Sequence, residues 1–385
     1  MKNRIRVLEV INDAAIGGGQ MHVLELASGL DRARFDVHAA CPDRGFLADR
    51  LRERGIPVHD ILIGKRPRIG SLRTLELVLR RGRFHIVHAH GGVAGFWARL
   101  AAMRAGTPVR VYSLHGIHYL NYPNTLLRAA FIAVDRFLAN WTDGIICVSE
   151  ADHKAGLCAG CLDRNKSLVI KNGIAFPSLP PKFDPKKKKA ELGIPANARV
   201  VGTVGRLHFQ KGQRHLLNAL PKVFENAAGV HALLVGDGPM RDELQRLASD
   251  LGINGRVHFA GSRRDLAECI GAMDVFVLPS EWEGISLSLL EAMVLERPVV
   301  AHSMVGITEA IEDRRSGILV PQHRPDAMAN AILRLLNDGA LAKRLTAQAR
   351  RTVLAEFGLG KMTRELAALY RRLSERKKVG PCAPR

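Results

Sequence analysis

Glu283 and Glu291 are the residues whose types and spacing point most directly to chemistry. They flank Gly284-Ile285-Ser286-Leu287, where a buried strand ending at Pro279 gives way to an apolar helix. An ionised carboxylate accepts hydrogen bonds from hydroxyl pairs, so one of the two can hold a sugar and the other a ribose. The amides that open the helix have no partner inside it and suit a phosphate. A glycosidase would use the same two carboxylates as an acid/base pair, but that reading leaves a basic loop upstream unexplained. In that loop, Gly205-Arg206-Leu207-His208-Phe209-Gln210-Lys211-Gly212, the Gly-bounded turn carries two fixed cations. Arg206 and Lys211 stand where a diphosphate would sit and can neutralise charge developing on a departing nucleotide.

The elements that must position these residues follow from the hydrophobic pattern. Apolar, β-branched runs at residues 5 to 11, 36 to 41, 57 to 63, 85 to 89, 109 to 114, 145 to 148 and 167 to 171 alternate with helical stretches. A second series begins at residues 199 to 205 and continues at 230 to 236, 256 to 260, 274 to 278, 298 to 301 and 318 to 320. Strand and helix in alternation predict a parallel α/β sheet, and the restart predicts two doubly wound domains. Phe176-Pro177-Ser178-Leu179-Pro180-Pro181, with Pro185 soon after, excludes helix or central strand and marks a connection. Lys186 to Lys189 are expected to open the next helix, exposed to solvent. The predicted domains are residues 1–178, completed by a C-terminal helix within 361–385, and 179–360. Ligands of such sheets collect at the carboxyl ends of the strands.

Three further features fall at those ends in the first half. Gly17-Gly18-Gly19-Gln20 follows the first strand and opens a helix; consecutive glycines let amides approach a phosphate, although a plain tight turn explains them equally well. It is neither G-x-G-x-x-G nor a Walker loop, which disfavours dinucleotide and ATP. His88 and His90 close one strand, where structural histidines are common, and His115 ends the next. Gly116 to Asn124, with His118 and Tyr119, reads as an acceptor loop. Leu126, Leu127, Phe131, Ile132, Phe137 and Leu138 after it read as helix core rather than a membrane anchor.

Bulk properties bound the partners. The chain has 385 residues, 47% of them hydrophobic, and no apolar run long enough to span a bilayer. Its formal net charge of +20 predicts attraction to polyanions. Between residues 61 and 134, Lys65, Arg66, Arg68, Arg73, Arg80, Arg81, Arg83, Arg99, Arg104, Arg110 and Arg128 face the single acid Glu76. Nucleic-acid modules interleave aromatics with basic residues, and aromatics make up only 5% of this chain; an anionic membrane is the favoured partner. The six cysteines lack disulfide-scaffold density, and Cys158-Ala159-Gly160-Cys161 lacks the second pair of a zinc site. Nor does the basic N-terminus lead into a clean apolar signal stretch.

Glu283-x7-Glu291 downstream of Gly205-Arg206-x4-Lys211-Gly212 resembles the retaining glycosyltransferases of family 4. His90, His115-Gly116, Val148-Ser149-Glu150, Asn172-Gly173-Ile174, Gly236-Asp237-Gly238-Pro239 and Glu309 fall in the family's order. The resemblance implies the GT-B fold: two Rossmann-like domains facing across a cleft, the last helix crossing back to the first. It implies that Arg206 and Lys211 bind the donor diphosphate, Glu283 the sugar hydroxyls and Glu291 the ribose. Amides of Gly284, Ile285, Ser286 and Leu287, with the Gly17-Gly18 turn, would complete the cradle, and His115 would sit near the transferred sugar. Gly19-Gln20, Ala175 and the run Ser303 to Thr308 depart from the family's usual residues, which weakens inference about the donor.

The implied activity is a hexosyltransferase-type transfer from a nucleoside diphosphate sugar, UDP-sugar favoured, to a lipid-linked or lipopolysaccharide acceptor, with retention. Catalytic roles fall to His115, Glu283, Arg206 and Lys211, with His90, His118 and Tyr119 on the acceptor side. No cofactor or divalent metal is expected, since cations and amides can stabilise the leaving group and no D-x-D occurs. The expected location is the cytoplasm, peripheral at the inner membrane face, with no nucleic-acid partner. A sugar-nucleotide epimerase of the same fold and a non-catalytic basic binding protein are the alternatives.

Overall fold

The computed structural model describes residues 4–15, 17–63, 69–122 and 124–379, with the side chains of Ile69, His118 and Asn121 excepted. Chain contacts divide it into two compact units, Met1–Gly173 with Leu359–Arg385, and Ile174–Gly358. The sequence reading puts these divisions at 178/179 and 360/361. The difference has a local cause: Ile174 bridges to Gly358, its amide donating to the Phe357 carbonyl at 2.9 Å, which ties the start of the connection to the second unit.

In the first unit the strands are β1 (Ile5–Val10), β2 (Phe35–Cys41), β3 (Val58–Asp60), β4 (Ile86–His90), β5 (Val109–Leu114), β6 (Gly144–Cys147) and β7 (Ser167–Val169). Between them run α1 (Gly18–Gly29), α2 (Phe46–Glu53), α3 (Ile69–Gly82), α4 (Gly92–Ala105), α5 (Thr125–Ala139) and α6 (Glu150–Cys158). All strand pairs are parallel, in the order β3-β2-β1-β4-β5-β6-β7, with Val7 opposite Val37 and Ile86. Buried side chains fill both faces of the sheet, as continuous apolar runs such as Ile-Arg-Val-Leu-Glu-Val require.

The second unit repeats the plan. Its strands are β8 (Arg199–Val204), β9 (Val230–Val235), β10 (Val257–Gly261), β11 (Val275–Leu278), β12 (Val299–His302) and β13 (Ile318–Val320), in the order β10-β9-β8-β11-β12-β13. Its helices are α7 (Pro185–Glu191), α8 (Gln213–Asn226), α9 (Arg241–Asp250), α10 (Leu266–Gly271), α11 (Leu287–Val294), α12 (Pro325–Asn337) and α13 (Gly339–Glu356). In each sheet the strand order reverses once, between β1 and β4 and between β8 and β11. Loops leaving those four strands therefore open at a switch point.

The last helix, α14 (Leu359–Arg376), belongs to the first unit. Met362, Leu366, Leu369, Tyr370 and Leu373, three and four residues apart, form its buried stripe and join the core with Val7, Phe35 and Val111. Each such side chain contributes about 1.5–3 kcal/mol on burial, which holds the terminal helix against the first sheet.

Two expectations about side chains are overturned. Lys188 and Lys189 are buried, not solvated, because partly exposed carboxylates close over them. Lys188 Nζ lies 2.7 Å from Glu191, 2.8 Å from Asp265 and 3.1 Å from Glu268, while Lys189 Nζ lies 3.2 Å from Asp274. Likewise α5 buries only part of the set read as core: Leu138 is buried and Ile132 half-buried against the core, while Leu126, Leu127, Phe131 and Phe137 are exposed. Asp135 is the cause, since its bonds to Arg99 and to Tyr119 turn that side of the helix inward.

Cys41, Cys147, Cys158, Cys161 and Cys269 are free thiols; Cys382 lies outside the described residues. No helix among the described residues is long and apolar enough to cross a membrane.

Candidate active site

In the second unit the basic loop and the acidic loop leave adjacent strands, β8 and β11, at the switch point. A short 3-10 turn, Phe209–Lys211, follows β8 and ends at Gly212, whose φ of 61° is left-handed. A Cβ there would stand 2.1 Å from the Pro279 carbonyl oxygen, so glycine alone lets the basic turn approach β11 this closely. One backbone–backbone and one side-chain–backbone tie fix the approach: Glu281 N donates to Gln210 O at 2.8 Å, and Gln210 Nε2 to Trp282 O at 3.0 Å.

Lys211 is thereby aimed at Glu283. Its Nζ donates to Glu283 Oε1, which also accepts from Ser280 Oγ at 2.9 Å. The Glu283 side chain is only 8% exposed and that of Lys211 23%, so the pair is largely sheltered from solvent. Arg206 is exposed beside it, with no ion pair among the described residues, and is free to meet an anion.

Downstream, Ser286 precedes α11 in extended conformation and gives it no side-chain cap. The first amides of α11 are left available at the positive end of its dipole. Glu291 lies one turn further, half-buried. Gly306, with φ of 90°, packs against this loop; a Cβ on it would come within 2.1 Å of the Gly284 carbonyl oxygen. His302 Nδ1 donates to the Ser280 carbonyl at 3.1 Å, and burial pushes its imidazole down to about 4. Sequence reading misses Ser280, His302 and Gly306; the glycine in the divergent run Ser303 to Thr308 was the available signal.

The first unit assembles a different constellation at its own switch point. His90 Nε2 lies 2.7 Å from Glu9 Oε2, and a carboxylate can only accept, so this nitrogen carries the proton. Burial, then His88, push the His90 imidazole down to about 4 and keep it neutral. Its Nδ1 is then an acceptor, 3.3 Å from His115 Nε2, which fixes the protonated nitrogen of His115 as well. Tyr370 Oη donates to Glu9 Oε1 at 2.9 Å and meets His88 Nδ1 at 2.6 Å; His88 Nε2 meets Ser113 Oγ at 2.7 Å.

Glu9, His88, His90 and Tyr370 are all essentially inaccessible. Burial alone would raise the Glu9 carboxyl, but attraction to His88 and hydrogen bonds from His88 and His90 outweigh it and hold it well below the usual carboxylate range. His22, on α1, packs edge-on against His115 with ring centroids 4.7 Å apart. Glu9, His22 and Tyr370 are not singled out as site residues by the sequence reading. An acid inside a buried strand is the trace that points to Glu9.

Of the remaining sequence candidates, Gly17 stands before α1 and Gly18 begins it, with no side-chain cap. The Tyr119 hydroxyl donates to Asp135 Oδ2 at 2.8 Å and so anchors the loop to α5. The His118 side chain lies outside the described residues.

These buried imidazoles make stability sensitive to mild acid. Below pH 6.5 an unfolded chain binds protons that His90 and His302 refuse until about pH 4. Stability is therefore lost as pH falls through that window, by about 2 kcal/mol for each residue at pH 5 relative to pH 7. Calorimetry is expected to show Tm lower by roughly 5 °C at pH 5; a Tm unchanged over this range would mean that neither ring is held neutral. The depressed Glu9 carboxyl acts in the same direction at lower pH still.

Two doubly wound parallel sheets, the second bringing a basic loop and an acidic loop together at its switch point, are the architecture of a GT-B glycosyltransferase. Residues 198–338 match the family described as glycosyl transferases group 1, and residues 16–175 match glycosyltransferase family 4. The chain belongs to these GT-B glycosyl transferases of group 1. It is similar to the UDP-Gal:alpha-D-GlcNAc-diphosphoundecaprenol alpha-1,3-galactosyltransferase of Escherichia coli, 27% identical over 96% of this chain and 97% of that one. It also resembles the lipopolysaccharide core biosynthesis glycosyltransferase LpsE of Rhizobium meliloti, 35% identical over 44% of this chain and 48% of that relative. Among solved structures, HepE of Anabaena in complex with UDP and glucose superposes with a TM-score of 0.85 at 25% identity, covering 96% of this chain and 100% of HepE.

Proposed function

We propose that this enzyme transfers a sugar from a nucleoside diphosphate sugar, UDP-sugar favoured, to a cell-envelope glycan acceptor, lipid-linked or lipopolysaccharide, with retention of configuration. The observation that carries this reading is the Lys211–Glu283 pair, held at the β8/β11 switch point beside an exposed Arg206. The UDP and glucose bound by HepE and the lipid diphosphate acceptor in the name of the Escherichia coli relative support it.

In this mechanism the C1–O bond to the diphosphate breaks with its electron pair leaving on the phosphate oxygen. Arg206, Lys211 and the α11 amides stabilise the charge. Glu283 orients the sugar hydroxyls and Glu291 the ribose. The acceptor hydroxyl oxygen bonds to C1 on the same face, and its proton passes to the departing phosphate oxygen through an oxocarbenium-like transition state. His115 is the first unit's candidate for serving the transferred sugar, and no divalent metal is needed. The enzyme works in the cytoplasm, peripheral at the inner membrane face.

The first test is a thermal-shift series with UDP, GDP and ADP. UDP at about 100 times its Kd should stabilise the protein by about 2.7 kcal/mol. Stabilisation by none of the three would point to a non-catalytic binding protein. Appearance of an epimer from the donor alone would point to an epimerase.

A further inference from the structure

We propose that α5 is the element by which this enzyme lies in the surface of an anionic bilayer, its outward face sunk among the lipids. This deepens the membrane-face reading above and rests on it for the location of the acceptor.

The helix is built inside out. Leu126, Ala130, Val134, Phe137 and Trp141 recur at steps of four, four, three and four residues, one stripe along α5 and its exit turn, and every one is exposed. Leu126 is 82% and Phe137 61% exposed, values at which a large apolar side chain gains nothing from the fold. Leu127 widens the stripe on one side. A contiguous apolar strip of this kind on a soluble domain marks an interaction surface.

The opposite side holds the helix to the body: Asp135 accepts from Arg99 at 2.6 Å and from Tyr119 at 2.8 Å, Leu138 and Ala139 are buried, and Ile132 packs against the core. The helix therefore needs none of its outer apolar residues to stay in place.

Charge selects the occupant. From residue 69 to residue 141 the chain has nine arginines, no lysine and two acids, Glu76 and Asp135. Both acids are already spent, Glu76 on Arg80 and Arg104, Asp135 on Arg99. Arg110 pairs with Asp143. That leaves Arg73, Arg81, Arg83, Arg128 and Arg136 without an ion pair among the described residues, and all but the half-buried Arg128 are exposed. α3, α4 and α5 pack in succession on one face of the sheet, so the arginines of α3 belong to the same side of the unit as the apolar stripe. A second copy of this chain would bring like charges together there. An anionic lipid surface accepts both the cations and the apolar stripe, with Trp141 at the headgroup level.

The test is flotation of the full chain with phosphatidylglycerol vesicles and with phosphatidylcholine vesicles, in the absence of donor and acceptor. Wild type is expected to bind the anionic vesicles at least about tenfold more tightly, and Leu126→Ser/Phe137→Ser to lose about tenfold of that binding. The UDP-induced rise in Tm should be the same in both proteins. As a readout independent of any folding defect, brominated lipids should quench wild-type fluorescence, and Trp141→Phe should remove that quenching. Failure of wild type to bind, binding unaffected by the double variant, or a stable dimer that the variant dissolves would each overturn the proposal. Absence of the UDP shift in wild type would instead count against the donor site and leave the membrane result standing.

Discussion

Lys211→Ala is expected to lower kcat for sugar transfer by about 10²–10³-fold, with a smaller change in KM. Loss of one preorganised donor to developing charge is worth roughly that much when water is excluded from the site. Lys211 fits that description better than Arg206, because Gly212 and the two ties to residues 281 and 282 hold its turn against β11. Arg206→Ala, at an exposed and adaptable side chain, should cost about tenfold, the scale of one charge-assisted bond.

The same lysine has a second task, which the variants can separate. Without it Glu283 is a largely buried carboxylate whose remaining partner is Ser280, and an uncompensated buried charge is costly. Lys211→Ala should therefore also lower Tm, whereas Lys211→Ala/Glu283→Gln should restore much of the stability and none of the activity. Steady-state kinetics beside thermal denaturation measures both. Full turnover by Lys211→Ala would remove Lys211 from the reaction, and full turnover by the double variant would remove both residues.

Much of this site was legible in the sequence because its positions are set by backbone patterns that sequence carries directly. The strand runs, the glycine-bounded turn and the Pro279 stop place Arg206, Lys211 and Glu283 on loops at strand ends; that those loops are neighbours depends on β8 and β11 pairing in the sheet. What was not legible depends on which face of an element turns inward. The stripe Leu126, Val134 and Phe137 has the spacing of a core helix, and only the bonds of Asp135 to Arg99 and Tyr119 reveal that it faces out. Lys188 and Lys189 read as solvated until Asp265 and Asp274, far away in sequence, are found beside them. Tyr370 is the extreme case, since it reaches Glu9 across 361 positions of chain.

That contact underlies the second large effect. Glu9→Ala is expected to destabilise the first unit by about 3–5 kcal/mol, the range for removing one member of a buried charged network. Three buried hydrogen-bonding groups, on Tyr370, His88 and His90, lose the carboxylate that accepts from them. Tyr370→Phe removes a single hydroxyl from the same network and should cost about 1–2 kcal/mol. Glu9→Gln separates structure from chemistry: it keeps the shape, but its amide can donate as well as accept, so His90 is no longer obliged to carry its proton on Nε2. His115 then loses the acceptor that fixes its own proton. If His115 serves the transferred sugar, Glu9→Gln should lower kcat by about 10–100-fold at a near-normal Tm, the scale of effects seen when an outer-shell partner of a functional histidine is removed. Nitrogen NMR of His115 gives a readout that a purely structural role would not move, because its tautomer should shift in Glu9→Gln. A Glu9→Gln enzyme with unchanged His115 resonances and unchanged kcat would reduce Glu9, His90 and Tyr370 to core packing.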